Sequence, residues 1–159
     1  MKYILYIYYD LGNLPLVVPR CGYHVTCVHV QNLDINCINY FDIIWFDIPY
    51  NNIDEIEEII LLTLNIIEYY NPKNFVITSF KNDVLDNAWY MYGLPYRDIN
   101  PLNYGCEYES EMRIYTNIFA WNNNLINRYN RLLRHKRRRL NSRYRLSAVL
   151  IREILECIL

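Results

Sequence analysis

Glycine is scarce, four residues in 159, and no apolar run reaches the 18 residues that a membrane-spanning helix needs. The opening stretch "MKYILYIYYDLG" lacks the small-residue cleavage site of a secretory leader. Five cysteines, odd in number and irregular in spacing, do not make a disulfide framework and suit reduced thiols. These absences argue against a membrane protein and against a secreted disulfide scaffold. The expectation is an intracellular protein, in cytoplasm or nucleus. Charge is unevenly placed: residues 128–145, "RYNRLLRHKRRRLNSRYR", hold 9 basic side chains and none of opposite sign.

What is present is apolar and aromatic. Hydrophobic residues make up 53% of the chain and charged ones 21%, which excludes a disordered protein. Seventeen tyrosines stand against five phenylalanines, and the excess of Tyr, Asn and Ile is what an AT-rich genome encodes, a hint of a viral or parasite source. The default place for so many tyrosines is a sheet core with satisfied hydroxyls. Residues 1–127 hold 6 basic and 15 acidic side chains, so an acidic body carries one basic segment.

Periodicity gives the order of elements. "YILYIYY" (3–9) is a buried strand ended by the turn signal "DLGN". "LPLVVPR" has room for one or two helical turns, and "YHVTCVHV" (23–30) alternates as a second strand. "FDIIWF" (41–46) is a third. "NIDEIEEIILLTLNIIEYYN" (52–71) is a helix, with Asn52 and Glu55 at capping-box spacing and Ile56, Ile59, Ile60, Thr63, Ile66, Ile67 and Tyr70 on one face. "NFVITSF" (74–80) follows as a strand, and strand–helix–strand argues a mostly parallel sheet with helices packed on it. Residues 113–119 are a later strand, 121–139 a helix, and "SAVLIREILECIL" a final helix buried along Leu150, Ile151, Ile154 and Leu155. No linker or repeat divides the chain, so residues 1–159 form one α/β domain.

In order, these segments resemble a small DNA cytosine-5 methyltransferase of the phage and large-virus type. "ILYIYYDLGNLPLVVPRCGYHVTCVHV" looks like the family's first strand, glycine-rich turn and second strand. "FDIIWFDIPY" resembles the strand entering its Ala-Ser-Pro-Pro-Cys loop, and "IIEYYNPKNFVITSF" the approach to its Glu-Asn-Val motif. "YGCEYESEMRIYTN" and "RYRLSAVLIREIL" resemble two closing segments. The resemblance implies a Rossmann-like methyltransferase fold.

It also implies chemistry that these residues do not supply. The position matching the nucleophilic cysteine is Tyr50, and that matching the supporting glutamate is Thr78. A thiol of pKa about 8.5 is a few per cent ionised near neutrality; a phenol of pKa about 10 is ionised on the order of a tenth of a per cent. Threonine cannot serve as the acid. On the cofactor side, the carboxylate expected on the first strand is Tyr6. The first turn glycine is Asp10, which leaves only Gly12, and the ribose-gripping acid of the second strand is His29. The resemblance therefore points to a degenerate, non-catalytic member with no S-adenosylmethionine unless a residual site survives. Such a chain serves as a nucleic-acid-binding module or as a virion or structural component, possible homo-oligomer included.

An alternative rests on "DIPY", one residue from the Asp-Pro-Pro-Tyr of amino-directed methyltransferases. Asp47 and a backbone carbonyl would hold an exocyclic amine while Tyr50, after Pro49, stacks on the flipped base. For the basic segment, Arg134, Lys136, Arg137, Arg138, Arg139 and Arg143 are the candidate contacts to DNA, with Tyr129, His135 and Tyr144 for stacking; an acidic protein surface is the competing partner. No apolar aromatic stripe accompanies the segment, so a membrane is not expected. Cys21, His24, Cys27 and His29 have the wrong spacing for a zinc knuckle. Asp54, Glu55, Glu57 and Glu58 complement a helix dipole, so no metal site is assigned.

Overall fold

A computed structural model describes residues 1–34, 40–48, 53–105, 110–123 and 146–158. Six strands, β1 (Lys2–Tyr8), β2 (Tyr23–His29), β3 (Ile43–Asp47), β4 (Asn74–Phe80), β5 (Tyr96–Ile99) and β6 (Met112–Thr116), form one sheet in the order β2-β1-β3-β4-β6-β5. β1 runs parallel to β2 and β3, and β3 to β4. β6 is antiparallel to both of its neighbours, β4 and β5, and is the one reversed strand among the described residues. The central strands β1 and β3 read as near-continuous apolar runs because both of their faces are covered.

Alternation along the strands sorts side chains to two layers. Leu5, Ile7, Ile44, Phe46 and Ile77 pack under α2 (Ile53–Tyr70), which presents Ile56, Ile60 and Ile66. Thr63 on the same face donates its hydroxyl to the Ile59 carbonyl, 2.8 Å away, so its burial leaves nothing unpaired. Ile4, Tyr6, Ile43, Trp45, Val76 and Ile114 face the other way. There they meet Leu14 and Val17 of α1 (Leu14–Val17) and Leu150, Ile151, Ile154 and Leu155 of α5 (Ala148–Glu156). Helix α2 stops at Asn71, whose φ of 43° and N–H bond to the Ile67 carbonyl make a left-handed cap before Pro72. Helix α5 starts at Ser147, whose hydroxyl accepts from the Leu150 N–H at 3.2 Å.

The strand expected over 113–119 is shorter and shifted. The Thr116 hydroxyl donates to the Phe75 carbonyl at 2.5 Å and accepts from the Ile118 N–H, which turns the chain out of the ladder, and α4 (Phe119–Asn123) begins. The rest of the helix expected over 121–139 lies outside the described residues, as do Asn52, Pro49 and Tyr50. Two elements were not foreseen. α3 (Asp83–Asp86) is capped by the Asn82 side chain, and β5 is only four residues long behind Pro95. Neither is long enough to show a period.

Candidate functional site

The strand order reverses direction at β1, which is followed by β2 on one side and β3 on the other. In open parallel sheets ligands enter the crevice at the carboxyl ends of such a pair. Here that crevice holds Asp47, the last residue of β3, and three side chains converge on its carboxylate. The Trp45 indole N–H donates to Oδ1 at 2.8 Å, and the Thr78 hydroxyl donates to the same oxygen at 2.7 Å. The Tyr6 hydroxyl donates to Oδ2 at 2.6 Å and in turn accepts from the Gly12 N–H at 3.3 Å. Local structure explains the convergence. Trp45 and Asp47 are two apart on one strand and share a face; Thr78 is the register partner of Asp47 on β4, and Tyr6 that of Trp45 on β1.

Burial governs the protonation of this group. Removing Asp47 from water pushes its carboxyl above the usual range, and the hydrogen bonds from Tyr6, Thr78 and Trp45 offset that only in part. The Tyr6 phenol is driven up as well, first by burial and then by the neighbouring Asp47. Tyr6 is a proton-holding donor here, with no exposed surface.

Gly12 is needed for space rather than for dihedral freedom. A Cβ built there would lie 2.8 Å from the Tyr6 hydroxyl oxygen and 3.6 Å from Asp47 Oδ2. The close approach of backbone that the glycine permits is made to a phenol of the same chain.

The remaining sequence candidates are dispersed. Asp10 is exposed beyond β1. His29 ends β2 with its ring edge-on to Tyr8 at 5.5 Å and tilted on Tyr9 at 5.8 Å, and its Nδ1 accepts from the Gln31 N–H. His24 stacks on Tyr3 at 5.4 Å. Glu57 and Glu58 are exposed on α2. Arg134, Lys136, Arg137, Arg138, Arg139 and Arg143 lie outside the described residues. Among the described residues no helix is long and apolar enough to cross a membrane.

A second polar cluster, not foreseen from sequence, joins β5 and β6 to the segment after β4. Arg113 grips Asp98 through Nε and Nη2 at 2.7 and 2.9 Å, approaches Asp86 at 3.6 Å and lies 3.8 Å from the centre of the Tyr96 ring. Lys81 bridges Asp98 and Glu111, and the Tyr115 hydroxyl donates to Asp86 at 2.7 Å. Hydrogen bonds from Arg113 hold the Asp98 carboxyl below its ordinary range. Lys81, Asp86, Tyr96, Arg113 and Tyr115 line a cleft of about 570 Å³ together with Met91, Tyr92 and Leu94. Its two cations are already met by carboxylates, so it is not an anion site.

No family model and no curated protein matches the chain. Solved structures do. A protein assigned as a DNA modification methyltransferase, encoded within a prophage of E. coli, superposes with a TM-score of 0.55 at 13% identity, covering 73% of this chain and 46% of its own. The Dnmt2 methyltransferase of S. pombe gives 0.48 at 10% identity, covering 77% and 54%. The chain thus spans about half the length of each. The first likeness establishes the fold: a mostly parallel, Rossmann-like sheet of the methyltransferase kind, as the sequence resemblance implied.

Proposed function

We propose that this chain is a methyltransferase-fold protein without a methyl-transfer site, acting as a nucleic-acid-binding module that contacts DNA through its basic segment. One observation carries the first half: the Tyr6 phenol sits in the crevice between β1 and β3 and engages both the Gly12 N–H and the Asp47 carboxylate. The residues there do not fit S-adenosylmethionine. The glycine that would let a ligand approach the backbone is already met by a buried side chain of the same chain. Thr78 supports that reading because its hydroxyl is committed to Asp47, while Asp10, His29 and Tyr50 support it by residue type alone.

The amino-directed alternative asks Asp47 to accept from an exocyclic amine. Both of its oxygens already accept, from three donors, so the reading requires the cluster to come apart first. The DNA half of the proposal is supported by nine cations without an acid over residues 128–145 and by the DNA-modifying assignment of the prophage protein. A role as a virion or structural component docking an acidic protein surface uses the same charges and is separated by the test.

The test has two arms. Titration calorimetry with S-adenosylmethionine is expected to show no binding; micromolar affinity overturns the closed site. Retention of a DNA duplex is expected to weaken with salt, with a slope of about −5 to −8 in log–log form for six to nine phosphates. Replacing Arg137, Arg138 and Arg139 by Ala is expected to flatten that slope by about 2.7. Unchanged retention removes the segment as the contact, and no retention at low salt leaves the acidic protein partner.

A further inference from the structure

We propose that the outer edge of β2, unpaired among the described strands, is a self-association surface, joining two copies of this chain by antiparallel β2–β2 pairing into one continuous twelve-stranded sheet. β2 pairs with β1 along its whole length, Lys2 with Tyr23 through to Tyr8 with His29, without a bulge. It is the outermost strand of the sheet order, and no other described strand pairs with its far side. Alternate residues therefore direct N–H and C=O groups outward along roughly 23 Å, at about 3.3 Å per residue.

Edges of this length are ordinarily protected by charge, proline, bulging or a covering element. "YHVTCVH" has none of the first three: it contains no Lys, Arg, Asp, Glu or Pro, and its register is unbroken. His24, Thr26 and Cys27 are exposed, so side chains from both faces of the strand reach solvent.

Charge selects the occupant and its direction. The start of β1 and β2 carries Lys2 and Arg20 against the single carboxylate of Asp42, which accepts from the Tyr3 N–H, and is net basic; their far end carries Asp10 and Asp34. An antiparallel second copy sets the basic end of each protomer beside the acidic end of the other. A parallel arrangement would set like against like. Full overlap of the seven residues places the two-fold axis at Thr26, with Tyr23 opposite His29, His24 opposite Val28 and Val25 opposite Cys27. No like-charged pair arises, and aromatic–imidazole contacts repeat what β1 and β2 already make between Tyr3 and His24.

Sedimentation velocity on the full chain, at rising concentration, tests this. A reversible dimer is expected, and a monomer throughout overturns the proposal. Thr26→Lys is expected to abolish the dimer while circular dichroism stays unchanged, since Thr26 is exposed. Should that variant unfold, Thr26→Cys in a Cys27→Ser background decides. The two thiols then face each other across the axis, and air oxidation is expected to give a linked dimer by mass that Cys27→Ser alone does not form. Failure to link, or a dimer that persists in folded Thr26→Lys, overturns the β2 edge as the interface. None of these outcomes depends on whether DNA or S-adenosylmethionine binds.

Discussion

Tyr6→Phe removes a single oxygen and keeps the ring, so it isolates the hydroxyl that closes the crevice. Two hydrogen bonds go: the 2.6 Å donation to Asp47 Oδ2 and the 3.3 Å acceptance from the Gly12 N–H. Asp47 retains Trp45 and Thr78 on Oδ1 but has no described partner left on Oδ2. A hydrogen bond to a charged group is worth about 1.5–3 kcal/mol net, and the longer bond to Gly12 adds little. The expected cost is about 2 kcal/mol, within that range. For a domain of this size that lowers Tm by about 6 °C. The assay is thermal and urea unfolding at pH 7, repeated in an Asp47→Asn background, where the penalty should shrink by about 1 kcal/mol because the charged partner is gone. A Tyr6→Phe cost below about 0.5 kcal/mol, or the same cost in both backgrounds, would refute the claim that this hydroxyl holds Gly12 and Asp47 together.

Asp47 and Asp98 should respond to pH with opposite signs. Asp98 is depressed in the folded protein, so its contribution is present above the unfolded value of about 4 and lost as pH falls through the folded one; Asp98→Asn should flatten the acid side of a urea-midpoint profile. Asp47 is raised, so its contribution is complete below about 4 and fades as pH climbs through the folded value. Asp47→Asn should therefore compare better with the parent at pH 7 than at pH 4. Arg113→Lys keeps the charge but loses the fork on Asp98 and the Tyr96 stack, and is expected to lower the urea midpoint by the equivalent of about 1–2 kcal/mol. Ser147→Ala strips the cap of α5 and should cost about 1 kcal/mol, measured as a fall of about 3 °C in Tm.

The strands with strong apolar character were legible because their periodicity is set by burial: β1, β2, β3 and β4 fall within two residues of the stretches expected. β5 was not, since four residues with Arg97 and Asp98 in the middle carry no hydrophobic signature; it is held by pairing to β6 and by the Arg113–Asp98 fork. The end of β6 depends on one threonine whose hydroxyl prefers a neighbouring carbonyl, a choice that exists only once β4 lies beside it. At the site, Tyr6, Gly12, Asp47 and Thr78 were each singled out by position, yet their union was not visible. It requires the lateral register of three strands, and Trp45 was hidden inside an apolar run because its N–H matters only when Asp47 follows two residues later. The Arg113 cluster left no signal, because its members come from three separate segments.

Helix α5 covers the Tyr6 side of the sheet, and Ala148 is 140 positions beyond Tyr8. During translation at about 5–20 residues per second, β1 emerges on the order of ten seconds before the element that shelters it. Once β3 and β4 have followed it, Ile4, Ile43, Trp45 and Val76 wait for α5 as an apolar face without its cover. The nascent protein is thus a natural client for a holding chaperone, and one truncated before Ser147 would expose the same sticky surface permanently. A synthetic peptide carrying the α5 sequence would have a ready-made slot to fill in it.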